Sequence, residues 1–284
     1  MVRMDFVAID VETANPQMAS ICQIGLVGFS EGREVMAESR FIDPEDYFDP
    51  IQMNVHGIAP ERIVGAPTFG GAFDWLRDCV GDAVLVSHTA FDRTAIRRAC
   101  ARYSVGPLEC RWLDSSLLAR RAWPDVRDRG YGLANLAARF GIAFQHHDAL
   151  QDARAAGLVL LQALHFTGLD VEHCIEPLSK SRGVASRSVR RAGDGDGPLL
   201  GEAVVITGTL SLPRQEVADL IHVAGGEVGA TVTKTTTVLV VGDQDLSRLA
   251  GKSKSSKHLK AEQLISSGQR IRILGESDLM ALVE

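Results

Sequence analysis

Several things are scarce in this sequence, and each scarcity narrows the reading. No apolar run approaches the ~20 residues needed to cross a bilayer, so no membrane span is expected. The first residues, Met1-Val2-Arg3-Met4-Asp5, run at once into a strand-like segment from Phe6 to Val11. They lack the charged region, apolar stretch and small-residue cleavage site of a secretory leader. Cysteine is rare: Cys22, Cys79, Cys100, Cys110 and Cys174 are an odd set of five with no C-x-x-C pair. That argues against a disulfide framework and against zinc, and for reduced, mostly buried thiols in a cytoplasmic protein. Lysine is missing from the whole N-terminal part, the first being Lys180, whereas every Trp and every Cys lies before position 180.

What is present is the composition of a globular protein able to bury real cores, with 45% hydrophobic and 23% charged residues. A length of 284 residues suggests two domains. The net charge of −6 argues at first against a polyanion partner, but residues 1–178 hold 16 Lys and Arg against 24 Asp and Glu, and residues 179–284 hold 14 against 12. An acidic domain can still bind a polyanion if its carboxylates are spent on divalent cations, so the overall sign decides little. At the compositional break, the Ser-, Gly- and Arg-rich stretch from Ser179 to Pro198 has few large apolar residues and cannot repay its ordering entropy. It reads as a flexible linker, either a solvated tether or a weak attractor of phosphate. The division expected is a first domain over 1–170, the end of a terminal helix plus linker over 171–198, and a second domain over 199–284.

The first domain alternates strand and helix. Phe6–Val11, Ile21–Phe29 and Val35–Phe41 read as three strands, antiparallel neighbours in one sheet. Thr68 can cap a helix with Phe69, Ala72, Phe73, Leu76 and Val80 on one face. Ala83–Ser87 reads as a buried strand, followed by a helix carrying Ile96, Ala99, Cys100 and Tyr103. A further stripe of Leu133, Leu136, Ala137 and Phe140 closes at Gly141. The last helix, from about Leu150 to Leu164, has Leu150, Ala153, Gly157, Leu160, Leu161 and Leu164 at helical spacing. The fold class is therefore α/β, a mixed sheet flanked by helices.

Three short segments can carry chemistry. In Ile9-Asp10-Val11-Glu12-Thr13, side chains at i and i+2 of a strand share a face, so Asp10 and Glu12 can address one cation, although a solvated strand edge would explain the pair as well. In Ser87-His88-Thr89-Ala90-Phe91-Asp92 a strand gives way to a helix, and Asp92 is either a site group or a plain cap. In His147-Asp148-Ala149-Leu150-Gln151-Asp152, a His before a helix and an Asp one turn in can face one cleft.

Taken together and in this order, the three segments resemble the DEDDh (DnaQ-like) 3′–5′ exonucleases, over essentially all of residues 5–166. Ser20-Ile21-Cys22-Gln23-Ile24-Gly25, Asn54-Val55-His56-Gly57-Ile58 and Tyr131-Gly132-Leu133 fit as well. The resemblance implies a ribonuclease H-like fold, with Asp10, Glu12, Asp92 and Asp152 as acidic metal ligands and His147 as the catalytic histidine. The His-x-Ala-x-x-Asp spacing selects His147 over its neighbour His146. It also implies contacts of Thr13, Val55 and His56 with the terminal nucleotide, although His56 can equally be a satisfied structural histidine. Four crowded carboxylates would repel without cations, and hard oxygen donors select two Mg²⁺ or Mn²⁺ ions. Asp114 is expected to be a cap or a supporting group rather than a ligand. The Arg97-Arg98 and Arg120-Arg121 segments read as solvated helix faces.

From Leu200 the pattern restarts. Ala203–Ile206 reads as a strand, Arg214 opens a helix with Val217, Leu220, Ile221 and Ala224 on one face, and Gly225-Gly226 stops it. Val238–Gly242 is a central strand, followed by a basic loop with Lys252, Lys254 and Lys257, a helix, a strand at Ile271–Leu274 and a helix at Ser277–Leu282. Gly201–Leu210, Gly225–Val228, Lys234–Gly242 and Ser256–Leu264 resemble a BRCT domain, a small α/β module with a parallel sheet. Leu279 and Met280 stand where many such domains carry a large aromatic, which departs from the tandem phosphopeptide readers. The resemblance implies phosphate binding by Thr207, Gly208, Arg214 and Lys260, against the alternative of a strand threonine and ordinary surface cations.

The expected function is a metal-dependent 3′–5′ exonuclease acting on DNA ends in proofreading or repair. Its C-terminal module would dock to DNA ends or to a partner such as a polymerase. The alternatives are an exoribonuclease trimming RNA 3′ ends and a catalytically inactive DNA-end tether.

Overall fold

The structure is a computed structural model that describes residues 3–179, 197–243 and 254–283. Residues 180–196 of the linker read at 179–198, and the loop lysine Lys252, lie outside the described residues. By internal contacts the chain divides into two units. The described residues of the first are 3–14, 19–48 and 56–179, and those of the second are 15–18, 49–55, 197–243 and 254–283.

In the first unit, β1 (Phe6–Thr13), β2 (Ile21–Ser30) and β3 (Arg33–Phe41) form the antiparallel meander expected, and β4 (Val84–Ser87) and β5 (Trp112–Asp114) extend it in parallel, in the order β3-β2-β1-β4-β5. The strand interiors explain the order. β2 is buried along nearly its whole length and lies inside the sheet between β3 and β1, whereas β3 carries Arg33, Glu34, Glu38 and Arg40 and is the exposed edge. The turn between them is two residues long, with φ of 50° at Glu31 and 72° at Gly32, the conformation that matches the twist of a tight hairpin.

Helices cover the sheet. Thr68 caps α2, counted after α1 (Pro50–His56), by accepting from the Gly71 amide, and α2 (Phe69–Val80) buries Phe69, Ala72, Leu76 and Val80. α3 (Phe91–Arg102), α4 (Ser115–Ala122), α5 (Leu133–Arg139) and α6 (Ala149–Thr167) follow. α4 is a helix that hydrophobic periodicity did not reveal, because its eight residues are two turns with Asp114 as cap. Gly168, with φ of 68°, ends α6, and Val171–Ser179 is then a separate helix, α7, rather than the tail of the preceding one. The sheet packs onto α6 through Phe6 and Phe29, stacked at 4.8 Å. Gly157 admits the Phe29 ring, since a Cβ there would lie 2.2 Å from Phe29 Cε2. Among the described residues, no helix is long and apolar enough to cross a membrane.

The second unit holds a four-stranded parallel sheet in the order β7-β6-β8-β9. Its elements run β6 (Ala203–Thr207), α8 (Arg214–Val223), β7 (Glu227–Gly229), β8 (Val238–Val241), α9 (Ser256–Ser266), β9 (Arg272–Gly275) and α10 (Glu276–Val283). β8 is apolar and buried throughout, as a central parallel strand must be. The stripe of α8 is narrower than its spacing suggested, burying Val217 and Ile221 while Leu220 is 37% exposed. Gly197, read as linker, packs against the end of α8. A Cβ on it would meet the Ala224 carbonyl oxygen at 2.2 Å, and the Leu199 amide donates to that oxygen at 2.9 Å.

Candidate active site

β1 delivers the first two acids. Its residues alternate near its end, with Val11 and Thr13 buried and Asp10 and Glu12 partly open on the other face. The helix α6 delivers the third. Asp148 caps it by accepting from the Gln151 amide at 3.1 Å, which leaves Asp152 in the first turn, only 2% exposed. The helix can enter this close to the sheet because Gly25, paired with Asp10 across β1 and β2, has no side chain. A Cβ on Gly25 would lie 2.2 Å from the Ala149 carbonyl carbon and 2.4 Å from the Leu150 amide nitrogen. The outcome is a group of carboxylate oxygens from Asp10, Glu12 and Asp152 that all lie within 4.8 Å of one another.

Asp92 is the fourth acid. It occupies the first turn of α3, is 3% exposed, and its Oδ1 accepts from the Val11 amide at 3.0 Å, between the two acids of β1. The turn that presents it is strained and pinned. Thr89 has φ of 96°, its amide donates to Asp114 Oδ1 at 3.1 Å, and its carbonyl accepts from Ser87 Oγ at 2.7 Å. His88, within the same turn, is held between Ser115 Oγ at 2.9 Å and the Tyr131 carbonyl at 2.8 Å. Asp114 is thus a cap and a brace, as its strand-end position suggested.

His147 sits at the mouth of α6 with Nδ1 3.9 Å from Glu12 Oε1, and its amide donates to Asp152 Oδ2 at 2.6 Å. His146, which the spacing passed over, stacks on it at 4.1 Å. Burial first, and then the neighbouring carboxylates, push Asp10 and Glu12 well above the usual carboxylate range. For Asp10 the largest of those charges is Asp92; for Glu12 it is Asp152.

The donor set fits a divalent cation. Three carboxylates offer only hard oxygens, and Asp152 Oδ1 is buried without a hydrogen bond, since His146 Nδ1, although 2.6 Å away, is not aligned to donate. The model of the exonuclease family, RNase_T, matches residues 7–160. The chain belongs to the exonuclease family. The DNA polymerase III PolC-type protein of Pediococcus pentosaceus is 27% identical to this chain over 156 residues, 54% of this chain and 11% of that one. The PolC-type protein of Halalkalibacterium halodurans is 28% identical over 160 residues, 55% and 11% of the two chains. The chain therefore spans about a tenth of the length of the curated relatives it matches. Similar solved structures include exonuclease X in complex with 5′ overhanging duplex DNA (TM-score 0.48, 21% identity, 60% of this chain and 98% of that one). Exonuclease I is another, with TM-score 0.49 and 15% identity over 64% of this chain and 44% of that one.

The remaining residues read from the sequence divide clearly. Thr13 is buried, and Val55 is half-buried in α1. His56 uses both ring nitrogens on backbone, with Nε2 donating to the Thr13 carbonyl at 3.2 Å and Nδ1 accepting from the Ile58 amide at 2.9 Å. Both ring nitrogens of His56 are thus spent on backbone. Burial lowers its pKa to about 4, so it folds neutral and must be paid for in acid. A depressed histidine loses stability as pH falls from the ordinary 6.5 toward 4. We expect the wild type to lose roughly 3 kcal/mol over that window relative to His56→Gln, measured by urea unfolding at each pH. Parallel curves for the two proteins would exclude the account.

In the second unit, Arg214 donates to the Gly208 carbonyl at 2.7 Å and the Ile206 carbonyl at 3.2 Å, and Thr207 Oγ1 meets Ser255 Oγ at 2.8 Å. Lys260 is not brought to this group, because it bonds Gln263 on its own helix at 3.2 Å. Lys257, one turn earlier, reaches the Ile206 carbonyl at 3.0 Å instead. The sequence alone reads Lys257 into the basic loop, whereas the Ser255 cap starts the helix before it, and which lysine turns inward depends on the rotation of α9 against β6.

Proposed function

We propose that this protein is a divalent-metal-dependent 3′–5′ exonuclease acting on DNA. The observation that carries the reading is the convergence of Asp10, Glu12 and Asp152, with Asp92 bonded between the two acids of β1 and His147 at their rim. When bound, two Mg²⁺ or Mn²⁺ ions would supply charge neutralisation and lower the pKa of a bound water. Asp10, Glu12, Asp92 and Asp152 would hold them. The imidazole of His147, at the rim of the acids, takes the proton released by the attacking water. The 3′ oxygen of the penultimate nucleotide leaves, freeing a nucleoside 5′-monophosphate. DNA is favoured over RNA by the names of the polymerase relatives and by the second unit, whose parallel sheet and Thr207, Gly208, Arg214 and Lys257 group suit a BRCT-like module docking on terminal phosphate or a replication partner.

The test is a time course with Mn²⁺ on 5′-labelled single-stranded DNA and RNA of one sequence, with EDTA as control. Binding to 5′-phosphorylated and 5′-hydroxyl duplex ends is measured alongside. A ladder shortening from the 3′ end, faster on DNA, is expected. Intact substrate under all conditions would sink the enzyme reading, faster RNA trimming would move it to an exoribonuclease, and equal affinity for both ends would remove the phosphate-docking role.

A further inference from the structure

The pairing of β4 with β1 runs from Phe6 to Ala8, so the stretch of β1 that carries Asp10 and Glu12 continues past the end of its parallel neighbour. Two side chains bond the backbone on either side of Glu12 instead. Asp92 Oδ1 accepts from the Val11 amide at 3.0 Å, and His56 Nε2 donates to the Thr13 carbonyl at 3.2 Å. We propose that His56 is a positioning residue for Glu12, fixing the end of β1 so that this carboxylate meets Asp10 and Asp152; this rests on the exonuclease reading above.

The ladder between β1 and β2 is broken at this point. Glu12 pairs with Gln23 and Thr13 pairs with Ile21, which leaves Cys22 out of the register. A bulge of this kind disrupts the local hydrogen bonds and re-aims the side chains beside it. The direction of Glu12 therefore depends on contacts from outside the β1–β2 pair. His56 is buried and supplies one. Its partners fix the tautomer: a carbonyl can only accept, so Nε2 carries the proton, and Nδ1 accepts from the Ile58 amide at 2.9 Å. Gly57, with φ of 70°, makes the turn between His56 and Ile58. Ile58 then packs with Cys22, the residue left out of the register, and with Ala14, just beyond Thr13. The turn 56–58 is thus seated on the broken part of the ladder by the bond to Thr13 and by this apolar cluster. A divalent cation needs its oxygens at about 2.0–2.6 Å, so a shift of Glu12 too small to unfold the chain would already weaken metal binding.

The experiment uses the full chain as wild type, His56→Gln and His56→Asn. A glutamine amide reaches about as far as Nε2 and an asparagine amide about as far as Nδ1. His56→Gln therefore keeps a donor for the Thr13 carbonyl, whereas His56→Asn keeps only the acceptor for the Ile58 amide. Mn²⁺ affinity is measured by titration calorimetry without nucleic acid, folding by circular dichroism, and Mn²⁺-dependent kinetics on single-stranded DNA alongside. We expect His56→Asn to weaken Mn²⁺ binding about 10- to 100-fold, with a matching loss of turnover at subsaturating Mn²⁺, and His56→Gln to stay within about threefold of wild type. Wild-type Mn²⁺ affinity in a folded His56→Asn would overturn the proposal. So would His56→Gln binding Mn²⁺ as weakly as His56→Asn. A higher KM for DNA in both variants, with Mn²⁺ affinity unchanged, would overturn it too and give His56 a contact with the nucleotide instead. Should His56→Asn not fold, the wild type decides, because a bond that aids the metal is itself strengthened by the metal. Exchange of the Nε2 proton with solvent, followed by NMR, should then slow about tenfold or more on saturation with Mg²⁺, and unchanged exchange would overturn the proposal. If the wild type binds Mn²⁺ but degrades no nucleic acid, the exonuclease reading fails, and the affinities still decide the role of His56.

Discussion

Replacing Asp10 with Asn abolishes nuclease turnover and, without metal, makes the protein harder to unfold. Both effects follow from one fact of the site. Asp10 is buried among Asp92, Asp152 and Glu12, so its ionised form is unfavourable in the fold until cations offset the charge. Removing that charge removes a metal-binding oxygen, for which we expect a loss of about 10³-fold or more in kcat. It also removes the repulsion, which should raise the melting temperature in EDTA by about 2–4 °C per kcal/mol relieved. The pH dependence has a defined sign. Asp10 and Glu12 hold protons more tightly folded than unfolded, so the stability they contribute is full below their ordinary values of 3.8 and 4.5. It is lost as pH rises through their raised folded values. His56 opposes this trend below about 6.5, and saturating Mn²⁺ should flatten the fall in melting temperature that the two acids impose as pH rises through their raised folded values. Degradation by Asp10→Asn at the wild-type rate would refute the active-site assignment. A variant that melts lower than wild type in EDTA would refute the crowding account.

The second large effect is expected at a residue with no side chain. Gly25→Ala drives a Cβ into backbone atoms of Ala149 and Leu150, 2.2 to 2.4 Å away, and backbone at a helix entry cannot rotate aside. The entry of α6 must move off β2, carrying His147, Asp148 and Asp152 with it. We expect a stability loss of about 3 kcal/mol and a further 10²-fold fall in kcat on the folded fraction, because the site tolerates little displacement. Gly157→Ala is the matched control. Its Cβ would strike the Phe29 ring at 2.2 Å, a ring stacked on Phe6 within the core and away from the acids. That variant should lose comparable stability with kcat on the folded fraction nearly intact. Chemical denaturation and kinetics on both proteins separate the cases, and equal loss of activity in the two would remove Gly25 from the positioning argument.

Much of this protein was legible in its residues. The strand pattern from Phe6 put Asp10 and Glu12, two residues apart, on one face, and the apolar helical stripe from about Leu150 put Asp152 one turn in. Those are local facts, decided by backbone geometry within a few residues. The alternation of strands and helices was also local, which is why the antiparallel meander and the second sheet's central strand Val238–Val241 could be read ahead. Where two turns of helix replaced a periodic stripe, as in Ser115–Ala122, the hydrophobic signal was too short to read.

What only tertiary structure decided concerns pairs distant in the chain. The bond from Val11 to Asp92 spans 81 positions, and nothing in the composition of either segment announces it. His56 could have faced a nucleotide or the backbone until the Thr13 carbonyl and Ile58 amide were seen to occupy both nitrogens. Lys257 rather than Lys260 turns toward Arg214, because the facing of a helix against its sheet sets which of two lysines points inward. Local periodicity determines which residues can share a face; long-range packing, which sums many weak contacts over the whole core, determines which faces meet.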